Sequence, residues 1–422
     1  MTKKEVFGSG MRFVCEEIPH FSSVCIGIWV ENGSRREEKN VNGISHFIEH
    51  MVFKGTKSRS ALEIAKTMDR VGGRLNAFTG KELTCYHVTV LKDHLDLGLD
   101  LLSDLVFNAL FSEDAMEKEK GVVVEEINFY EDTPSEHIGD LFVQTIFPDD
   151  PLGQSIAGTR DVIHGLTRKG IVDYFNSCYF PSNFIVSIAG NINSAAAKEK
   201  VTAFLEKNSA SVKNDIKPNT LPKFTSNVKM FEKKLNQVHV CLGTPGIRYG
   251  SEERYAFSVL NLIFGGSMSS RLFQKVREEH GLVYAIGSYT ASYKDTGYGS
   301  VYAGTDTSNF LKVIELTLEE IRRLRDEGIT EDELKMAKEN IRGNLLLGLE
   351  STDFRMNRIA ISEIYLGKLV SMAVVMEKVY SVQREDVRSL AMKYMKPEDI
   401  AVVAIGPGLK EDKVRDLLTK IK

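Results

Sequence analysis

Between residues 10 and 31 apolar and polar positions alternate with the period of strands. Met11-Arg12-Phe13-Val14-Cys15 leads to a turn near Pro19. Ser23 to Val30 then has the length and β-branched content of a buried strand. After the Asn32-Gly33-Ser34 loop the period lengthens to that of a helix over Gly43 to Gly55. At about 100° per residue, Phe47, Ile48 and Met51 share one side, where a core can hold them. His46, Glu49, His50 and Phe53 share the other, so Phe53 is expected to line a cavity rather than the core. A further helix is predicted from Ala61 to Val71, stopped by Gly72-Gly73. Strands at 74–79 and 83–91 follow, then helices at 94–107 and 112–131, the latter with Glu113 and Asp114 in its first turn. Helices at 135–147 and 167–179 and a strand at 184–189 end this half of the chain.

From Lys207 to Asn227 the composition turns polar, with Pro and Asn breakers, and reads as a linker. Beyond it the pattern repeats. Val238 to Gly243 reads as a strand, Ala256 to Phe264 as a helix ending in Gly265-Gly266, and Thr330-Glu331-Asp332 as a helix start like Ser112-Glu113-Asp114. Tyr394, Pro397 and a strand over 400–405 echo Tyr179, Pro181 and the strand over 184–189. Such a repeat predicts two similarly folded domains; the fold expected is α+β, each domain a mixed, mainly antiparallel sheet packed with helices, the two forming a clamshell around a cavity. The expected boundaries are 1–208 for the first domain, 209–227 for the linker and 228–422 for the second.

Bulk properties narrow the class. A chain of 422 residues with 42% hydrophobic and 27% charged content suits globular domains. Its net charge of −4, without a basic block, argues against nucleic acid as a partner. The five cysteines (Cys15, Cys25, Cys85, Cys178, Cys241) are widely spaced and form no CxxC. This argues for reduced thiols in a cytoplasmic setting and against a disulfide framework or a cysteine-zinc site. No signal peptide and no membrane insertion are expected.

The chemistry lies on the polar side of the first helix. Imidazoles at i and i+4 can reach one ion, and Glu49 sits beside them as a general base. A catalytic zinc usually takes a third protein ligand. The 112–131 helix offers Glu117, Glu119, Glu125, Glu126 and Glu131. Glu119 and Glu126 lie two turns apart on one face, which favours Glu126 as ligand and Glu119 as its support. In the second half the counterparts of His46, Glu49 and His50 are Phe257, Leu260 and Asn261, each 211 residues on. Those of Glu119 and Glu126 are Ala337 and Asn344, each 218 residues on. One zinc per chain, in the first domain, is therefore expected. His87, His94, His137 and His239 read as structural or exposed, and Gly265-Gly266-Ser267 lacks the phosphate-loop pattern.

His46-x-x-Glu49-His50, followed after 75 intervening residues by Glu126, resembles the inverted zinc motif of the pitrilysin/insulinase family of metallopeptidases. The surrounding Gly43-Ile44-Ser45-His46 and Glu119-Lys120-Gly121-Val122 contexts resemble most the short-chain branch that includes mitochondrial processing peptidase. The resemblance implies that His46, His50 and Glu126 bind zinc, that Glu49 activates water, and that Glu119 supports the site catalytically. It implies that Asn76 and Ala77, on the 74–79 strand, hold a substrate as an added β-strand. It also implies that Arg277 and Tyr284 bind substrate and stabilise the oxyanion, in a chain that pairs as a homodimer. The function expected is that of a zinc metalloendopeptidase acting on peptides or unfolded segments. A non-catalytic scaffold subunit or a peptide-binding partner of a separate active chain are the alternatives; the intact ligand set and the Arg/Tyr pair speak against both. The acids Glu131, Asp132 and Glu136 read as a solvated turn.

Overall fold

The computed structural model describes residues 2–206 and 221–420. They fall into two compact units. The first contains 2–128, 154–206 and 346–370, the second 129–153, 221–345 and 371–420.

The first unit is built on a six-stranded sheet of β1 (Thr2–Val6), β2 (Arg12–Glu17), β3 (Ser23–Val30), β4 (Arg74–Thr79), β5 (Thr84–Leu91) and β6 (Phe184–Gly190). The order is β1-β2-β6-β3-β5-β4; β2 and β6 run parallel and the other neighbours antiparallel. β3 and β6 are central and buried on both faces, as their near-continuous apolar sequence requires. One face, with Ile26, Ile28, Tyr86 and Val88, packs on Phe47, Ile48 and Met51 of the histidine helix (Ile44–Val52) and on Leu99 and Leu102 of the Leu95–Asn108 helix. The other face, with Cys25, Trp29, Ile185 and Ala189, packs on Met356, Ile359 and Ala360 of the Thr352–Leu366 helix.

The second unit repeats the topology of five of these strands, β1 having no counterpart among the described residues. Its sheet contains β7 (Val228–Glu232), β8 (Val238–Pro245), β9 (Val283–Ser292), β10 (Gly297–Thr305) and β11 (Ala401–Gly406), in the order β7-β11-β8-β10-β9. β7 and β11 are parallel and the rest antiparallel, as in β2-β6-β3-β5-β4.

The units depart from the division at 1–208 and 228–422 in two segments. The Pro134–Ile146 helix belongs to the second unit, where Ile138, Phe142 and Ile146 pack on Cys241, Ala401 and Val403. Its counterpart, the Thr352–Leu366 helix, belongs to the first. Each half thus lends one helix to the other's sheet. The reason is burial: both sheets are apolar on two faces, and the exchanged helix covers the second. Residues 207–220, most of the expected linker, lie outside the described residues, and 221–227 form no regular element.

The segment after the histidine helix is anchored by Asp104. This carboxylate accepts from Thr56 Oγ1 at 2.6 Å, Ser58 Oγ at 2.5 Å, Arg59 Nη1 at 2.9 Å and Asn108 Nδ2 at 3.1 Å. Burial works to raise its pKa, but these donors outweigh it and hold the group below the usual aspartate value of 3.8. A depressed folded pKa contributes stability above the unfolded value, and that contribution is lost as pH falls through the folded one. Asp104→Asn is therefore expected to be less stable at neutral pH and to lose less further stability on acidification below about pH 4. Urea midpoints for both chains at pH 7 and pH 3.5 check this; parallel pH profiles would contradict it.

Candidate metal centre

The histidine helix starts at Gly43, whose φ of 96° suits glycine and where a Cβ would lie 2.7 Å from Ala157 O. No side chain caps it locally. Instead Glu37, buried at 1% exposure, accepts from Gly43 N at 2.6 Å, Ser45 N at 2.8 Å and Asn42 Nδ2 at 2.9 Å. This distant carboxylate satisfies two first-turn donors and complements the helix dipole. Glu37→Ala leaves those donors buried and unpaired. It is expected to cost about 1–3 kcal/mol in urea unfolding; a loss within error of zero would refute the capping role.

With its start held, the helix aims His46 and His50 at Glu126 of the Glu113–Asp132 helix. His46 Nε2 lies 3.7 Å from Glu126 Oε1 and His50 Nε2 3.5 Å from Oε2; the three donor groups all lie within 4.8 Å of one another. These separations are long for hydrogen bonds. The edges of a tetrahedron are about 3.3–3.6 Å for donor bonds of about 2.0–2.2 Å; the 3.5 Å separation falls within that range and the 3.7 Å one lies just above it. His46 is buried and its Nδ1 has no partner among the described residues, whereas His50 and Glu126 are part-exposed, leaving a side open.

The other charges complete the arrangement. Glu119, 4% exposed, accepts from His50 Nδ1 at 2.9 Å and pairs with Lys54 Nζ at 2.7 Å. A proton on Nδ1 leaves the Nε2 lone pair directed at the cluster. Glu49 Oε2 accepts from Thr79 Oγ1 of β4 at 2.5 Å. Burial raises the Glu49 carboxyl, with the Thr79 bond and His50 opposing. Burial also pulls His50 down, but Glu119 and Glu126 outweigh it and raise it to about 9. His46 is pushed down to about 4 by burial and by the neighbouring His50 charge. His50 lowers Glu126, and His50 and Lys54 lower Glu119 against its burial. Three carboxylates, Glu49, Glu119 and Glu126, thus converge with two cations among the described residues, Lys54 and a His50 that holds a proton as long as no metal takes its place. A divalent cation would relieve that excess of negative charge, so the donor set fits the zinc ion expected of it.

The remaining predicted residues divide between the units. Asn76 and Ala77 lie on β4, the outermost strand of its sheet, and the Asn76 side-chain oxygen accepts from Ala77 N at 2.9 Å. Arg277 sits in the helical turn Phe273–Glu279, its guanidinium 4.7 Å from the Phe273 ring centre and 5.6 Å from that of Tyr284. Tyr284 is 81% exposed. Phe53 is a correction: it is part-buried at the core's margin, its ring 6.3 Å from Tyr86, because it caps the helix and turns back toward the sheet. On the helix that carries Glu126, Val122 is 50% exposed while Val123 is fully buried. Sequence reading missed Glu37, Lys54 and Thr79. Lys54 lay four residues beyond His50 on the same helical face and could have been found by that spacing.

In the second unit the counterpart positions carry no ligand set. Phe257 and Leu260 are buried apolar residues, Asn261 Nδ2 donates to Ser288 O, and Asn344 Nδ2 donates to Asn340.

Two histidines and a base on one helix, closed by a glutamate from a second, form the donor arrangement of a metal-dependent hydrolase. The chain belongs to peptidase family M16, the insulinase family. The model described as "Insulinase (Peptidase family M16)" matches residues 12–160, and that described as "Peptidase M16 inactive domain" matches 165–341. The chain is 40% identical over 407 residues to the "Uncharacterized zinc protease YmxG" of Bacillus subtilis (strain 168), covering 96% of this chain and 98% of that one. It is 38% identical over 396 residues to the "Uncharacterized zinc protease SCO5738" of Streptomyces coelicolor, covering 92% and 86%. A crystal structure of a protease from Helicobacter pylori shares the fold, with a TM-score of 0.90 at 22% identity, covering 96% and 99%. No helix among the described residues is long and apolar enough to cross a membrane.

Proposed function

We propose that this chain is an active zinc endopeptidase cleaving peptides or extended unfolded segments. The observation that carries the reading is the convergence of His46, His50 and Glu126, whose donor groups lie within 4.8 Å of one another with Glu126 3.5 and 3.7 Å from the two imidazoles, and with Glu49 on the same helix. The names of its relatives agree with it.

His46, His50 and Glu126 would hold the ion, which supplies Lewis acidity toward a water and the scissile carbonyl when bound. Glu49 takes the proton of the attacking water and delivers it to the leaving amine. Its raised carboxyl suits this exchange, since the protonated form is not prohibitively high in energy. Thr79 holds the carboxylate toward β4, so base and substrate edge are positioned together. Glu119 keeps His50 in the ligating tautomer. Arg277 and Tyr284 supply a cation and a phenol donor for the oxyanion and the peptide backbone.

Zinc analysis and cleavage of an internally quenched peptide test the reading. Removing zinc by chelation is expected to abolish cleavage, and adding it back to restore it. A zinc-free preparation with full activity would overturn the proposal.

Binding along β4 has its own test. Ala77 N–H is met by its neighbour's side chain rather than by β5, so it is available to an added strand once Asn76 turns aside. Ala77→Pro removes this donor on an edge strand, where proline is tolerated. Losing one backbone hydrogen bond, about 0.5–1.5 kcal/mol, is expected to lower kcat/KM roughly 2- to 13-fold with zinc content unchanged. An unaltered kcat/KM would remove β4 from substrate binding.

A further inference from the structure

A second trio of metal-ligating side chains converges on the opposite face of the first sheet: Cys25, His87 and Asp353. Cys25 is on β3 and His87 on β5, where Cys25 pairs with Thr89 and Gly27 with His87. Asp353 lies in the first turn of the Thr352–Leu366 helix, which packs on this face.

Asp353 Oδ1 lies 3.1 Å from Cys25 Sγ, 4.0 Å from His87 Nδ1 and 2.6 Å from Thr89 Oγ1. Arg74 Nη2 is 3.5 Å from Oδ2. A thiol donating to the carboxylate accounts for Cys25 and Asp353. It leaves His87 Nδ1 unexplained: this atom is sealed from solvent and has no hydrogen-bond partner among the described residues. A buried polar atom without a partner calls for one, and a distance of 4.0 Å is no hydrogen bond. To hold one tetrahedral ion, the 3.1 Å sulfur–oxygen separation would open to about 3.6 Å and the 4.0 Å nitrogen–oxygen separation close to about 3.4 Å, shifts of roughly half an ångström that side-chain rotation can supply.

We propose that Cys25 Sγ, His87 Nδ1 and Asp353 Oδ1 form a second metal site, for zinc or a similar borderline-soft divalent ion. The mixed sulfur, nitrogen and oxygen donors select that class over calcium or magnesium. On binding, the Cys25 thiol proton leaves to solvent and the sulfur–metal bond forms in its place. Thr89 keeps its bond to the Asp353 carboxylate and orients it. Asp353 is 32% exposed at its side chain, which gives the ion a way in. The ion would clip a helix from the second half of the chain onto β3 and β5, next to the β4 edge. The role is structural and does not rest on the peptidase reading.

Cobalt(II) is the discriminating probe. Thiolate ligation gives a near-ultraviolet sulfur-to-metal charge-transfer band, and the His46/His50/Glu126 centre contains no sulfur. Full-length chain, stripped by chelation, is titrated with cobalt while absorbance and bound metal are followed. The expected result is two equivalents and a thiolate band for the wild type. The His46→Ala/His50→Ala variant keeps the band with one equivalent. Cys25→Ser loses the band and keeps the other equivalent. His87→Gln and Asp353→Asn, which leave the thiol in place, are expected to weaken cobalt binding at the band at least tenfold, and they carry the test should Cys25→Ser fail to fold. A wild-type chain without the band overturns the proposal, and so does a band that survives Cys25→Ser. So does a band unmoved in both His87→Gln and Asp353→Asn; His87 Nδ1 would then be meeting a water.

Discussion

Glu49→Gln is expected to keep its zinc and its fold while losing peptide cleavage by about 100- to 10,000-fold, the usual worth of a positioned general base. The amide preserves the shape of the side chain and can still accept from Thr79 through its oxygen, but it takes no proton from water. The loss should fall on kcat and kcat/KM together, because the removed interaction acts in the transition state. Single-turnover cleavage with metal content measured on the same sample separates this from loss of the ion. Full activity in a zinc-loaded Glu49→Gln chain would sink the assignment of Glu49 as base.

The second large effect is on metal affinity, and its ordering is the informative part. Glu119→Gln removes the charge that accepts from His50 Nδ1 and pairs with Lys54, while leaving all three donor groups in place. A supporting contact of this kind is worth roughly 10- to 100-fold in affinity or activity. Glu126→Gln exchanges a charged ligand for a neutral amide and should cost more than that. Competition with a chelator of graded strength, followed at the histidine centre, gives both constants. Equal affinities for wild type and Glu126→Gln would require the third ligand to be another residue, whatever the effect at Glu119.

Much of the fold was readable because local periodicity and end signals sufficed. β3 and β4 fall at the expected residues, the helix at 113–132 matches to within one residue at either end, and the histidine helix starts one residue late and ends at Val52, three residues before the expected Gly55. β9 and β10 were not read. Val283–Ser292 and Gly297–Thr305 are rich in glycine, serine and tyrosine, and part-exposed residues recur along both, so neither shows clean alternation. Their strand character comes from pairing with each other and with β8, which is a non-local property.

The same distinction runs through the metal centre. The spacing of His46, Glu49 and His50 follows from helix geometry and needs no tertiary information. Glu126 was reachable from its shared face with Glu119, and the absence of ligands at Phe257, Asn261 and Asn344 from the repeat. Glu37 and Thr79 were not reachable, since a distant carboxylate under a helix start and a hydroxyl on a neighbouring strand leave no spacing to read.

By itself the sequence determined the duplicated α+β units, the helix that carries the histidines, and the half of the chain that holds the His46, His50 and Glu126 donor set. Those follow from side-chain period and composition, which act over a few residues. Only the tertiary structure decided which sheet each exchanged helix covers, because an apolar stripe specifies burial without naming the surface that supplies it. It likewise decided that Cys25, His87 and Asp353 meet. A cysteine and a histidine on adjacent strands and an aspartate near residue 350 become neighbours only when the Thr352–Leu366 helix crosses to the first unit.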